Sequence, residues 1–164
     1  SIRVGGDKMD SDIANYLRKK NNINVGIQTA EKIKQEIGSA FPLKEELEMD
    51  VRGRDVITGY PVTIKISSSE IREALSETIV SLIDAIKRLF ERTPPELAAD
   101  IAERGIVLTG GGAQLKGLDE RIKETVDLPV HVVPDPLTCV VKGCGKILED
   151  IEQYRDVLIK RVED

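Results

Sequence analysis

The sequence predicts an α/β fold, in which a parallel β-sheet with flanking helices carries a smaller inserted α+β lobe. After residue 93, helical patterns alternate with two short apolar runs, residues 106–109 and 129–133, and this order favours parallel strands joined by a crossover helix. The first run leads directly into Gly110-Gly111-Gly112. Residues 7–72 differ, because two helical patterns precede a pair of alternating runs that are typical of an antiparallel hairpin. We therefore expect residues 7–72 to form a separate lobe.

The composition indicates a globular protein and argues against a nucleic-acid partner. Hydrophobic residues make up 40% of the 164 residues and aromatic residues only 3%, so Ile, Leu and Val must fill the core. The formal net charge is −5, and no basic stripe with interleaved aromatic residues occurs. The basic run at residues 18–20 ends a predicted helix, where cations complement the helix dipole.

Cysteine and histidine usage predicts neither a metal centre nor a disulfide framework. Cys139 and Cys144 have four residues between them, which matches neither a CxxC pair nor a zinc site, and His131 is the one histidine. We expect both thiols to be small fillers in an intracellular protein. No run approaches the roughly 20 apolar residues of a membrane helix, and no signal-peptide pattern is visible. Because the chain begins at Ser1 without an initiator Met, we expect it to be part of a longer protein.

Periodicity predicts the elements of the first half. Asp7 is a candidate N-cap of the first helix, and Gly38 is expected to end the second. Ser67 and Glu70 have the spacing of a capping box at the start of a long helix. The expected elements are a strand end at 1–4, helices over 8–20 and 28–38, strands around 47–51 and 62–66, and a helix over 67–92.

In the second half, Thr93-Pro94-Pro95-Glu96 predicts a capped helix start, with Thr as N-cap, Pro at the first helical position and Glu three residues after the cap. Leu97, Ala98 and Ile101 are expected to face inward, and Gly105 to end that helix. Further helices are expected over about 114–125 and from residue 138 to the C-terminus, the latter interrupted by Gly143 and Gly145.

The glycine run has two interpretations on local evidence. Glycines let a ligand or another backbone approach closely, but a tight strand-to-helix turn would also use them. The run has neither the Rossmann nor the P-loop spacing. The spacing of Glu31 and Lys34 likewise fits a simple exposed ion pair on a helix. No pair of carboxylates and no Ser/His/Asp arrangement indicates acid/base or nucleophilic catalysis.

Five blocks decide between these interpretations, because together they resemble the MreB-type bacterial actins, the rod-shape-determining proteins. Each block is modest alone, but they occur in the order and spacing of that family and cover nearly the whole chain. They are SIRVGGDKMD (residues 1–10), TAEKIKQEIG (29–38), TPPEL (93–97), RGIVLTGGGA (104–113) and DPLTCVVKGCG (135–145).

The resemblance implies an actin-like, ribonuclease H-like fold, of which this chain is domain II only. Residues 1–6 and 73–149 would be subdomain IIA, residues 7–72 the inserted subdomain IIB, and residues 150–164 a helix that packs on domain I. The family's catalytic carboxylate, its phosphate loops and its membrane-binding region lie outside these residues, as do the ligands of Mg²⁺.

By resemblance, the chain carries the adenosine side of a site for ATP or ADP. The expected contacts come from two segments facing each other across a cleft, with Glu31 on the ribose hydroxyls and Lys34 beside the base. Small residues Gly143 and Gly145 match the interdomain hinge. The expected nucleotide-binding residues are Glu31, Lys32, Ile33, Lys34, Gly110, Gly111, Gly112, Ala113 and Gln114.

The resemblance further implies a cytoplasmic, slow ATPase that forms filaments, associates with the membrane through domain I, and organises wall synthesis with cell-shape proteins. We expect these 164 residues alone to lack ATPase activity. Two alternatives remain: a structural, self-associating module without nucleotide binding of its own, and another actin-fold ATPase.

Overall fold

A computed structural model of the protein describes residues 1–155 and residue 158. The described residues form α-helices, β-strands and one 3₁₀ turn. In order they are α1 (Gly6–Lys20), β1 (Ile23–Asn24), α2 (Ile27–Ile37), β2 (Glu48–Asp55), β3 (Pro61–Ser67), α3 (Ser68–Glu91), α4 (Pro95–Arg104), β4 (Ile106–Leu108), the 3₁₀ turn (Gly111–Gln114), α5 (Leu118–Val126), β5 (Val130–Val132) and α6 (Cys139–Glu149).

The strands form two separate sheets with different topologies. In the first, β2 pairs with both β1 and β3 in antiparallel register, with Val51 opposite Ile64. In the second, β4 and β5 are parallel, with Val107 opposite His131. The antiparallel hairpin and the parallel pair that the sequence predicts are therefore confirmed.

The hydrophobic core runs continuously from the antiparallel sheet to α5. Helix α1 packs against α2 and α3, and the apolar stripes of these helices point into one shared cluster. Its best-buried members are Met9, Ile13, Leu17, Ile23, Ile33, Val51, Ile66, Ile71, Leu75 and Ile122. The predicted subdomain boundary at residue 72 falls inside α3, and the proposed division into subdomains stays a prediction.

Two predictions about the N-terminal segment are wrong. Residues 1–4 form no strand, and Asp7 does not cap α1. The helix already begins at Gly6, with Gly5 as its N-cap, so Asp7 lies in the first turn. A carboxylate there still complements the positive end of the helix dipole.

The two predicted caps behave differently. Ser67 and Glu70 form the complete capping box of α3, as expected. Thr93 does not cap α4, because its hydroxyl donates to Leu89 O at 2.8 Å, at the end of α3. Pro94 precedes a second proline, which disfavours the helical conformation, so Pro94 is extended and becomes the N-cap itself. Helix α4 ends at Gly105 as predicted.

Three expected features of the second half are corrected. Leu97 does not face inward, since it is 54% exposed, and β4 is not fully buried, because Val107 is 59% exposed. The helix expected from residue 114 begins at Leu118, after the 3₁₀ turn. Helix α6 ends at Glu149 and residues 151–154 form turns, while most of the predicted helix beyond them lies outside the described residues.

Candidate functional site

A cleft of about 420 Å³ lies between the N-terminal end of α1, one face of α2 and the 3₁₀ turn. It is the place where the two sequence segments predicted to bind a nucleotide approach each other. Its lining residues are Gly6, Asp7, Met9, Asp10, Glu31, Lys34, Gln35, Gly111, Gly112, Gln114, Leu115 and Leu137.

The structure brings five of the nine predicted site residues to this cleft, namely Glu31, Lys34, Gly111, Gly112 and Gln114. Lys32 and Ile33, between Glu31 and Lys34 on α2, point away from the cleft, because only positions three or four apart on a helix share a face. Ile33 is fully buried in the core, and Lys32 lies 3.7 Å from Glu36 in an exposed ion pair. Gly110 and Ala113 are likewise not among the lining residues. Whether any of the nine contacts a nucleotide stays a prediction.

Sequence reasoning missed several lining residues, and some of them had a usable signal. Gln35 lies one helical turn after Glu31, so periodicity alone places it on the same face. Leu137 follows the strand beside β4, at the carboxyl edge where α/β sheets commonly bind ligands. Asp10 had no such signal, because its position depends on how α1 packs against α2.

The 3₁₀ turn is attached to the rest of the fold by backbone contacts of its flanks and by its buried Ala113 side chain. Gly110 has a φ of +82°, and its N–H donates to Pro136 O at 2.8 Å, so the turn is attached to the loop after β5. Gly112 is different, because its φ is not positive and a Cβ added there would meet no atom within 4 Å. Neither the backbone conformation nor the packing requires glycine at this position. What glycine provides there is unobstructed space beside the cleft.

That loop is itself ordered by a charged pair. Lys142 Nζ lies 2.6 Å from Asp135 Oδ2, and Thr138 also donates its hydroxyl hydrogen to Asp135. These hydrogen bonds, first that from Lys142 and then that from Thr138, hold the pKa of the Asp135 carboxyl below its ordinary value. These contacts link the segment that carries Leu137 to the first turns of α6.

Lys34 is committed to a partner other than the one its sequence spacing suggests. Its Nζ lies 2.8 Å from Asp10 Oδ1 and donates to Gly6 O at 3.2 Å. The Asp10 contact lacks hydrogen-bond geometry, so it is mainly electrostatic. Glu31 instead accepts a hydrogen bond from Gln35 Nε2 at 3.2 Å. The simple Glu31–Lys34 ion pair is thus wrong, and the Glu31 carboxylate stays exposed at the cleft.

The cleft carries a negative rather than a positive charge. Its ionisable lining groups are three carboxylates, Asp7, Asp10 and Glu31, and one ammonium, that of Lys34, which gives a formal charge of −2. Such a surface suits hydroxyl and amine donors, and it disfavours phosphate groups.

The cysteines do not line the cleft. Cys144 is exposed, so the prediction that it fills apolar space is wrong, whereas Cys139 is half-buried and donates to Pro136 O.

Over residues 1–155, no cluster of three or more His, Cys, Asp or Glu side chains is arranged to hold a metal ion. Within the same range, no helix combines the length and apolarity that crossing a membrane demands.

Solved structures with the same fold define the class of protein. MreB5 of Spiroplasma citri bound to ADP matches with a TM-score of 0.90 and 38% identity, over 94% of this chain and 47% of that one. The same protein bound to AMPPNP gives a TM-score of 0.89, with 94% and 46% covered. A MamK double helical filament matches at 0.70 with 22% identity, over 88% and 44%, which shows the fold alone. The chain has the actin-like α/β fold that its sequence predicts.

The sequence matches identify the family. A family model described as MreB/Mbl protein matches residues 1–156. The cell shape-determining protein MreB of Escherichia coli (strain K12) is 49% identical over 154 residues, which are 94% of this chain and 44% of that protein. The chain therefore belongs to the MreB/Mbl family, and the predicted resemblance is confirmed. It spans less than half the length of this relative.

Proposed function

We propose that this chain supplies the adenosine half of an adenine-nucleotide site. The Glu31 carboxylate accepts hydrogen bonds from the ribose hydroxyls. An ionised carboxylate has only acceptor oxygens, and each of the two neighbouring ribose hydroxyls can donate one hydrogen bond to it. The backbone of Gly111 and Gly112 lies against the flat base. The ADP and AMPPNP in the matched MreB5 structures support a nucleotide as the ligand of this family.

The proposal depends above all on Gly112. A residue that the fold does not require to be glycine, but that leaves open space beside a cleft, indicates that a ligand needs the space. The charge of the cleft also indicates that it binds the nucleoside part of the ligand and not the phosphates. With Lys34 neutralised by Asp10, the lining favours a nucleoside over its phosphates, which other groups must hold.

The test is isothermal titration of ADP into the polypeptide as its gene encodes it. Gly112→Val places a branched side chain in the open space, and Glu31→Ala removes the acceptor of the ribose. We expect each to weaken ADP binding at least about tenfold, the scale of one lost charged hydrogen bond.

Gly26→Val is the matched control, because a Cβ at Gly26 also meets nothing within 4 Å, its backbone is extended, and Gly26 does not line the cleft. It should leave ADP affinity within about twofold, a change near the error of such comparisons. Unaltered ADP affinity in both Gly112→Val and Glu31→Ala, with normal thermal unfolding, would contradict the assignment.

A second function, a structural module that binds no nucleotide by itself, is favoured by the negative charge of the cleft. Charge-assisted contacts supply much of the affinity for ATP, and this surface offers few of them. We therefore expect the isolated 164 residues to show no ATPase activity and at best weak binding of adenosine or ADP. Micromolar ATP affinity of these residues alone would contradict this.

For the whole protein, we propose a cytoplasmic, filament-forming ATPase that uses Mg²⁺, attaches to the membrane through domain I, and maintains rod shape by organising wall synthesis with cell-shape partners. The support is family membership and the cell-shape name of the E. coli relative. Sedimentation of the gene-encoded polypeptide with and without ATP tests filament formation, and an unchanged soluble fraction at high protein concentration would contradict it.

A further inference from the structure

We propose that Lys116 is a positioning residue that fixes the two walls of the cleft relative to each other. It follows the 3₁₀ turn by two residues, yet its side chain extends to α2, on the opposite wall. It does not line the cleft itself. Its expected effect on a nucleotide rests on the proposed function, whereas its effect on the two walls does not.

The first contact is made by the ammonium group. The last carbonyls of any helix have no partner within that helix. Lys116 Nζ donates to two of those of α2, Gln35 O at 3.0 Å and Glu36 O at 2.8 Å. A cation at this end of a helix also complements the negative end of the helix dipole. The side chain therefore completes the C-terminus of α2 from another part of the chain.

The second contact is made by the backbone of the same residue. Ala40 N donates to Lys116 O at 2.8 Å, and Ser39 forms a parallel bridge with Lys116. The following Gly117 has a φ of +69°, and a Cβ there would lie 2.6 Å from Phe41 Cβ. The segment after the turn thus lies directly against the segment after α2.

A short series of contacts leads from Lys116 into the cleft. Gln35, whose carbonyl accepts from Lys116, donates through its own Nε2 to Glu31 Oε1 at 3.2 Å. On the other wall, only Leu115 separates Lys116 from Gln114, and Leu115 is buried in the core. Loss of the ammonium group would leave only the backbone contacts at Ser39 and Ala40 to hold the end of α2 beside the turn, so the distance from Glu31 to Gly112 would be less tightly fixed.

The experiment compares Lys116→Met, Lys116→Arg and Lys123→Met in the gene-encoded polypeptide. Methionine keeps an apolar stem but removes the donor, and arginine keeps a charged donor. Lys123 is an exposed lysine on α5 and serves as the matched control. Calorimetric titrations with ADP and with adenosine give the affinities, and hydrogen exchange gives the protection of α2 and of the amides of residues 113 and 115.

We expect Lys116→Met to weaken binding of both ADP and adenosine about tenfold, and Lys116→Arg to restore it to within about threefold. Adenosine is uncharged, so its loss of affinity cannot come from a weaker attraction of phosphates. In Lys116→Met, amide hydrogen exchange should accelerate at the two walls of the cleft but not in the β2–β3 hairpin. This pattern distinguishes a positioning role from a general loss of stability, which would accelerate exchange in both places. Lys123→Met should match the unchanged protein.

Adenosine binding in Lys116→Met equal to that of the unchanged protein would overturn the proposal. If the unchanged protein binds neither ADP nor adenosine, the proposed function fails, and hydrogen exchange decides on Lys116 alone. Faster exchange at both walls in Lys116→Met, and not in Lys123→Met, would then support the positioning role. Equal exchange in the two variants would refute it.

Discussion

Helix α3 and helix α4 have similar apolar stripes but differ completely in burial. In α3, Ile71, Leu75 and Ile79 are nearly or fully buried between α1 and the core, whereas α4 has no buried residue. Helix α6 resembles α4, since Val140 and Val141 are both more than 60% exposed. An apolar stripe indicates which face of a helix can be buried. The stabilising hydrophobic free energy is gained only where another element covers that face.

The largest expected difference is between two identical substitutions on these helices. Leu75→Ala should lower the free energy of unfolding by about 2–5 kcal/mol, because it empties a fully buried position. Leu97→Ala, at a 54% exposed position, should change it by no more than about 0.5 kcal/mol. Urea unfolding of both variants measures this. Equal losses would mean that α4 is as well packed as α3.

Glycine-to-alanine changes before α5 and within α6 should alter the stability of the chain in opposite directions. Gly117→Ala forces a left-handed φ on a residue with a Cβ and pushes that Cβ against Phe41, so we expect a loss of at least about 2 kcal/mol. Gly143→Ala, inside α6 and in open space, should stabilise the chain by about 0.5–1 kcal/mol. Thermal unfolding distinguishes them, and the same sign for both would contradict the contrast.

The two predicted caps provide a smaller test. Ser67→Ala should cost about 1 kcal/mol, because the hydroxyl accepts from Glu70 N in a complete capping box. Thr93→Ala should cost less than about 0.5 kcal/mol, since Thr93 caps nothing at the start of α4. Chemical unfolding curves give the loss of unfolding free energy in each variant. A larger loss in Thr93→Ala than in Ser67→Ala would contradict the prediction.

The last expected effect is a pH dependence of stability at Tyr16 of α1, and it is absent at neutral pH. Burial, followed by the hydrogen bond from its hydroxyl to Glu73 Oε2 at 2.8 Å, raises the pKa of Tyr16 from 10.0 to about 12. A raised folded-state pKa contributes stability that is present below pH 10 and is lost as the pH rises to about 12. Tyr16→Phe should therefore show a shallower fall in stability across this window. A parallel fall in both proteins would exclude a contribution from Tyr16.

Local signals predicted the fold well where the decisive contacts are close in sequence. The Ser67–Glu70 capping box, the alternation of β2 and β3 and the stop at Gly105 all act within a few residues. Thr93 was predicted wrongly for an equally local reason, since the second of two prolines determines the conformation of the first.

The candidate site was predictable only in part, because its two walls come from distant parts of the chain. Helical spacing places Glu31 and Lys34 on one face, but it cannot reveal that Asp10 on another helix takes Lys34 as its partner. Contiguous sequence blocks also include neighbours such as Ile33, which the helix turns into the core. The family resemblance indicated the two segments that meet at the cleft, and the packing of α1 on α2 decides which side chains face it.

The contacts of Lys116 have a consequence for the order in which the cleft forms. The residues joined by its ammonium group are 80 and 81 positions apart, and such distant contacts are slow to form in folding. During synthesis, α2 leaves the ribosome long before residue 116 is made. Until then the carbonyl groups of Gln35 and Glu36 lack their Lys116 donor and are left to water. The helices α1 and α2 and the β2–β3 hairpin can therefore pack together early, while the candidate cleft is completed among the last steps of folding.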